Sequence, residues 1–215
     1  MHVNTCTMQV QPAHSGNDPK NSSDRCLIGP VSIEPKSWRI IQKEINTLQE
    51  FGGNFKYNKE KKVLQIIPSS IVRGEHDNVT IPHSRYEFHT HPSKCKKSIC
   101  ALGIPSVADI HIHLEDVNSD NFANFVFERD GMWIMVPSRQ LRGPTHRKML
   151  KGAQQHANKM INLLRNISKE NYARKYEQFR ETWLQNAQSK GIYMKFIPWQ
   201  DSETSPNFIV PVPCA

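Results

Sequence analysis

The chain has 215 residues, a mass of 24.8 kDa, 37% hydrophobic residues and a mean hydropathy of -0.61, which predict one soluble domain with polar extensions. No apolar run approaches the roughly 20 residues that cross a bilayer, and the N-terminus lacks a secretory signal. Five scattered cysteines exclude a disulfide scaffold, so we expect an intracellular, cytoplasmic protein that is not secreted. The net charge of +8 is concentrated at 139–195, where 13 Lys/Arg accompany three acids, as in a solvated helix face or a surface for nucleic acid.

The first third of the chain predicts a tail, a helix and a hairpin. Residues 1–27 are rich in Asn, Ser, Gln and Pro, and this composition predicts a flexible N-terminal tail. In the helix that follows, Ser37 is the expected N-cap and Gly52-Gly53 the expected stop. Its buried stripe has helical spacing and consists of Trp38, Ile41, Ile45 and Leu48. Residues 53–57 and 62–67 are predicted to pair as a hairpin.

The remaining elements predict a sheet followed by basic helices. Strands are expected at 79–81 and 85–91, and an Asp-Gly turn joins strands 124–128 and 132–136. Thr145 is the expected N-cap of a long helix. The apolar stripe of that helix is Met149, Ala153, Ala157, Met160, Leu164 and Ile167. Tyr172, Tyr176, Phe179 and Trp183 continue it, either in the same helix or in a second one that begins near Ser168.

This order of elements predicts a mixed α/β fold, with helices packed against a largely contiguous sheet. The core is expected at 28–142, and a basic helical segment with a final strand at 191–199 occupies 143–200 and packs on that core. Residues 201–215 have the composition of a loose C-terminal tail, in which the apolar stretch 208–210 offers a docking segment.

The stretch His89-Thr90-His91-Pro92 predicts a metal site. Two histidines at i and i+2 on a strand point to the same face, so both can reach one ion. Pro92 restricts His91 to extended geometry and ends the strand. Asp109, eighteen residues after His91, closes a Ser106-x-x-Asp109 element that is also a helix-capping arrangement. Two imidazoles, one carboxylate and an open fourth position are typical of catalytic zinc.

Other interpretations of these residue types stay open. Cys95 and Cys100 could join the two histidines in a closed structural zinc site. His113, at i+4 from Asp109 on a helix, is an alternative ligand, whereas His111 would point away. Histidines on a strand are also commonly surface or packing residues.

His-x-His-Pro followed by Pro-Ser-x-x-Asp resembles the signature of the JAMM/MPN+ (JAB-domain) zinc metallopeptidases, over about residues 34–140. Glu50-Phe51-Gly52-Gly53 stands where that family has its upstream glutamate. The resemblance implies an MPN/JAB-like fold with Zn²⁺ held by His89, His91 and Asp109. The connection at 92–108 has seventeen residues and is longer than the family's usual one, which looks similar to JAB-like proteins of large DNA viruses and phages.

The resemblance also implies a reaction, the hydrolysis of a peptide or isopeptide bond, as in deubiquitinases. Glu50 would be the general base and Ser106 would stabilise the oxyanion. Glu44, Glu60 and Glu87 are upstream alternatives to Glu50, and Glu87 shares the face of the two histidines.

Expected partners are protein substrates, including conjugates of ubiquitin or its relatives, in the host-cell cytoplasm if the protein is viral. No membrane is expected, and no pattern in the chain predicts its oligomeric state. The alternative function is a catalytically silent MPN-like scaffold that binds a protein or nucleic acid through its basic C-terminal helices.

Overall fold

A computed structural model describes residues 25–75, 79–92, 103–106, 109, 121–136, 148, 151–152, 155, 169–189, 193–199 and 204–213. The described residues form a mixed α/β fold, which confirms the predicted class. Its helices are α1 (Pro35–Ile45) and α2 (Lys169–Ser189), with a short 3₁₀ turn at Pro68–Ser70. Its strands are β1 (Arg25–Ile33), β2 (Phe51–Asn58), β3 (Val63–Ile66), β4 (Val72–Arg73), β5 (Tyr86–Thr90), β6 (Ala123–Glu128), β7 (Gly131–Val136), β8 (Tyr193–Pro198) and β9 (Phe208–Pro213).

One sheet contains all the described strands, in the order β8-β7-β6-β5-β2-β3-β1-β9, with β4 paired to β2. Strands β5 and β6 run parallel, as do β1 and β3, and the other neighbours are antiparallel. Strand β5 therefore has a parallel neighbour on one side and the antiparallel β2 on the other. Residues near the C-terminal end of β5 can thus be met by side chains from both neighbours.

The main core lies between α1 and one face of this sheet. Trp38 and Ile41 of α1 are fully buried against strand residues such as Phe88 and Phe127. Phe55 stacks on Phe88 with ring centroids 4.4 Å apart. Burial of each such side chain contributes about 1.5–3 kcal/mol, so this aromatic layer fixes how the central strands stack on α1.

Helix α2 contacts β8. Its inward side chains Phe179 and Trp183 are buried, as are Val126 and Trp133, which alternate along their strands with residues of the main core. Successive side chains of a strand point to opposite faces, so these residues belong to the other face of the sheet. No helix among the described residues combines the length and apolar character that would let it cross a membrane.

Helix α1 begins and ends differently from the prediction. Pro35 occupies its first turn and Glu34 is the N-cap, so the prediction of Ser37 as cap was wrong. The Ser37 hydroxyl instead donates to Glu34 Oε2 (3.1 Å) and accepts from the Ile66 amide (3.0 Å), because the helix lies against β3. The helix ends at Ile45, and Leu48 beyond it is 46% exposed.

The predicted stop at Gly52-Gly53 was also wrong, because both glycines lie inside β2. A Cβ on Gly52 would lie 2.9 Å from the Phe88 carbonyl oxygen and from the Ile81 side chain. Glycine is needed there for a close approach within the sheet, not for ending a helix.

The hairpins β2–β3 and β6–β7 confirm the two predicted turns. Strands β5 and β8 confirm the strands predicted at 85–91 and 191–199. The strand expected at 79–81 was wrong: the described residues 79–81 are not in a strand, and Ile81 contributes a packing side chain beside Gly52. In the C-terminal segment, β9 pairs with β1 and buries Phe208 and Val210, so the stretch 208–210 does dock. The helix predicted after Thr145 lies largely outside the described residues.

Candidate metal centre

His89 and His91 project from the C-terminal end of β5. His89 lies opposite Gly52 of β2 and in register with Val126 of β6. Just beyond the end of the strand, the His91 amide still donates to the Phe127 carbonyl oxygen (2.8 Å). Both imidazoles are therefore attached to backbone that is hydrogen-bonded to neighbouring strands. A site on such a scaffold keeps its geometry better than one built on loops.

The two imidazoles and the Asp109 carboxylate converge on one point. His89 Nε2 lies 3.1 Å from His91 Nε2 and 3.1 Å from Asp109 Oδ1, and His91 Nε2 lies 3.4 Å from Asp109 Oδ2. Zinc bonds of about 2.0–2.1 Å at tetrahedral angles place neighbouring ligand atoms roughly 3.3 Å apart. The spacing of these three side chains therefore fits one tetrahedral metal ion with a fourth position left for another ligand. The donor set of imidazoles and a carboxylate also suits zinc.

Ser106 fixes the direction of the Asp109 carboxylate. The Ser106 amide donates to Asp109 Oδ2 (2.5 Å), and the Asp109 amide donates to the Ser106 hydroxyl (3.1 Å). This reciprocal pair is the arrangement that caps a helix N-terminus with an acid at the third position. Capping and metal binding are therefore compatible roles for Asp109, because Oδ1 still reaches His89.

Glu50 lies beside His91, immediately before the adjacent strand β2. Its Oε1 atom is 4.0 Å from His91 Nε2, and its side chain is buried. Backbone bonds fix it on both sides, since its amide donates to the Glu75 carbonyl oxygen (2.7 Å) and its own carbonyl accepts from the Gly74 amide (2.9 Å). Glu50 thus lies outside the group formed by His89, His91 and Asp109. A small molecule bound at the fourth position of a metal ion held by these three residues would be within its reach.

Burial and neighbouring charges shift the pKa of both His91 and Asp109. Burial alone would lower the pKa of His91, but its hydrogen bond to Asp109 and the negative charges of Asp109, Glu50 and Glu128 raise that pKa to about 9. Burial alone would raise the pKa of Asp109, yet the neighbouring imidazoles hold it well below its usual range. At neutral pH His91 therefore holds a proton beside the ionised Asp109, and a divalent cation would be attracted to the same place.

The other upstream glutamates have different surroundings. Glu44 is buried in a bidentate pair with Arg73, at 2.7 Å for both contacts. Glu60 lies in the exposed turn between β2 and β3. Glu87 accepts from the Ser84 amide (2.7 Å) and pairs with His83 Nδ1 (2.8 Å), and both of these partners lie outside the group of His89, His91 and Asp109. Cys95, Cys100, His111 and His113 lie outside the described residues.

One acidic residue near the site was missed by the sequence analysis. Glu128 ends β6, is 2% exposed, and lies in the strand that is parallel to β5 with Phe127 in register with Thr90. Glu128 and His91 are the next residues after Phe127 and Thr90, so both lie on the face of the sheet opposite the main core. A charged residue at the end of the otherwise uncharged strand ANFVFE was the available signal, but only the pairing of β5 with β6 gives it a place beside His91.

No protein-family model, curated protein or solved structure matches this chain.

Proposed function

We propose that this chain is a zinc-dependent metallopeptidase that hydrolyses an amide bond, with an MPN/JAB-like core. The observation that carries the proposal is the convergence of the His89 and His91 Nε2 atoms, 3.1 Å apart, on the Asp109 carboxylate, whose Oδ1 lies 3.1 Å from His89 and whose Oδ2 lies 3.4 Å from His91. The resemblance of the His-x-His-Pro and Ser-x-x-Asp elements to the JAMM/MPN+ signature supports the same conclusion. Protein substrates, including isopeptide-linked conjugates of ubiquitin-like proteins, are the substrate class that follows from it.

The described residues supply three ligands to this site, and a three-ligand site suits catalysis rather than structure, because structural zinc is normally closed by four protein ligands. Zinc in such a site would act as a Lewis acid and would lower the pKa of a bound water from its bulk value to about 7. His89 and His91 would hold the ion from the rigid strand, and Asp109 would supply the negative charge from the opposite side.

Glu50 is placed to handle the proton of the reaction. Its carboxylate would accept the proton of the attacking water and return it to the departing amine. Its burial keeps competing water away, and its backbone contacts with Gly74 and Glu75 hold it in place. General acid–base catalysis of this kind contributes roughly 10²–10⁴-fold to a rate.

In this proposal Ser106 stabilises the developing oxyanion. Its hydroxyl oxygen already accepts from the Asp109 amide, which orients the hydroxyl and leaves its own proton for donation. A donor aimed at the substrate carbonyl oxygen is worth about 10²-fold or more in rate. The same residue therefore positions a metal ligand with its backbone and serves the substrate with its side chain.

Zinc stoichiometry tests the metal site. Purified protein should bind one equivalent of zinc, and the double variant His89→Ala with His91→Ala should bind none. His83→Ala is the matched control, because His83 is half-exposed and lies earlier on the same segment. Zinc that persists in the double variant, or that requires Cys95 and Cys100, contradicts the catalytic site.

Activity tests the chemistry. Wild type and Glu50→Gln should be compared on ubiquitin chains and on a peptide library, with Glu44→Gln as the control for loss of a buried carboxylate. Glu50→Gln should reduce kcat at least 100-fold while zinc stays bound. Equal cleavage by Glu50→Gln and wild type places the base elsewhere, and stoichiometric zinc with no cleavage of either substrate class favours the scaffold function.

A further inference from the structure

A buried cluster connects helix α2 to the metal centre. The Tyr176 hydroxyl donates to Glu128 Oε2 (2.5 Å), and Arg180 Nη1 lies 3.7 Å from Glu128 Oε1. The Arg180 guanidinium is held over the Phe196 ring, 3.9 Å from its centroid. Glu128 is thus secured from α2 by a tyrosine and an arginine, although it belongs to the sheet.

The backbone of Gly103 lies directly on this cluster. A Cβ added to Gly103 would overlap Glu128 Oε2 and would lie 2.7 Å from the Tyr176 hydroxyl oxygen. Neither neighbour can retreat easily, because the two are hydrogen-bonded to each other and buried. Only glycine fits at this position, and the adjacent Ile104 is buried as well.

Gly103 stands three residues before Ser106 and six before Asp109. The connection that leads to Asp109 is long, so the ends of β5 and β6 do not by themselves determine where the carboxylate lies. A fixed point at Gly103 shortens the free segment before Ser106 to two residues. The reciprocal Ser106–Asp109 hydrogen bonds then transmit this fixed position to the carboxylate.

We propose that Glu128 and Tyr176 are positioning residues, which seat Gly103 and thereby hold Asp109 against His89 and His91. Helix α2 is then an integral part of the metal centre. This inference rests on the proposed zinc site, and it assigns Glu128 a role without contact to the metal or the substrate. Residues that orient metal ligands typically change metal affinity by 10–100-fold when they are replaced.

The zinc affinity of three variants, measured by competition with a chromophoric chelator, tests whether the contact of Gly103 with Glu128 and Tyr176 positions Asp109. Tyr176→Phe removes only the hydroxyl and should weaken zinc binding about 10-fold. Gly103→Ala inserts a methyl group into the cluster and should weaken it towards the value of Asp109→Ala. The Co²⁺ absorption spectrum of Gly103→Ala should likewise approach that of Asp109→Ala, since both lose the same ligand.

A double-mutant cycle shows whether Tyr176 acts through Asp109. Tyr176→Phe should have no further effect on zinc affinity in an Asp109→Ala background, because the ligand that it positions is already gone. Tyr57→Phe, which removes a hydroxyl at the far end of β2, should leave affinity unchanged in both backgrounds. Phe179→Leu weakens the packing of the buried face of α2 but keeps the Tyr176 hydroxyl and the Glu128 carboxylate, so it should lower Tm but not zinc affinity.

The outcomes separate the two proposals. If wild type binds no zinc through His89 and His91, the proposed function fails and the positioning role with it. If wild type binds zinc and both Tyr176→Phe and Gly103→Ala bind it equally well, the positioning role alone is overturned. An additive effect of Tyr176→Phe and Asp109→Ala also overturns it, as does a loss of affinity in Phe179→Leu equal to that in Tyr176→Phe.

Discussion

The raised pKa of His91 predicts that zinc and protons compete for the site. An imidazole must be neutral to bind a metal, so zinc must displace the proton that His91 holds in the metal-free protein. With a pKa of about 9, His91 is roughly 99% protonated at pH 7. The apparent Kd for zinc should therefore fall about 10-fold for each pH unit between 7 and 9, and then level off.

The same pKa fixes the sign of a stability effect. A pKa raised in the folded state stabilises the metal-free protein fully below pH 6.5, and this stabilisation is lost as pH rises through 9. The difference from the usual value of 6.5 corresponds to about 3 kcal/mol in the free energy of unfolding. Urea unfolding of metal-free wild type and His91→Gln at pH 6 and pH 10 isolates this contribution as the change in their difference.

Chelator-buffered zinc titrations measure the competition directly, and calorimetry in buffers of different ionisation enthalpy counts the protons released. Wild type should release about one proton from His91 at pH 7. Asp109→Asn removes the anion that raises the pKa of His91, so its Kd should depend less steeply on pH although its affinity is lower. A wild-type Kd that changes less than twofold between pH 7 and pH 9 would refute the reasoning.

Three further predictions concern the frame around the site. Glu44→Gln should keep full hydrolytic activity and should lower the free energy of unfolding by only about 1–2 kcal/mol, because its partner Arg73 is half-exposed; urea unfolding and peptide cleavage check both parts. Gly52→Ala should destabilise the protein by about 1–3 kcal/mol in urea, since the added Cβ meets the Phe88 carbonyl. Phe88→Ala should lower the same free energy by about 3–5 kcal/mol, and a loss below 1 kcal/mol would contradict its place in the main core.

Local signals predicted the elements that carry the site. Two apolar runs joined by an Asp-Gly turn give β6 and β7 almost to the residue, and Pro92 correctly marks the end of β5. These signals succeed because side-chain periodicity and turn geometry are properties of a few neighbouring residues. The same reasoning failed at Ser37, where a contact with β3, distant in sequence, decides what the hydroxyl does.

The sequence patterns did not predict which residues of neighbouring strands lie close to His91. The i, i+2 spacing places His89 and His91 on one face, but the partners of His91 depend on which strands flank β5. The antiparallel β2 brings Glu50 from one side, and the parallel β6 brings Glu128 from the other. Neither strand order nor register can be read from the spacing of residues in a single chain.

The connection from His91 to Asp109 is long, and its length affects how the position of Asp109 is fixed. Closing a loop costs free energy that rises only slowly with its length, so extra residues do not prevent Asp109 from reaching the histidines. A long connection does not by itself fix the position of the Asp109 carboxylate, and a metal ligand must be held to within about 0.5 Å. In this protein that control comes from two local contacts near the end of the connection, the Gly103 seat on Glu128 and the Ser106 cap on Asp109.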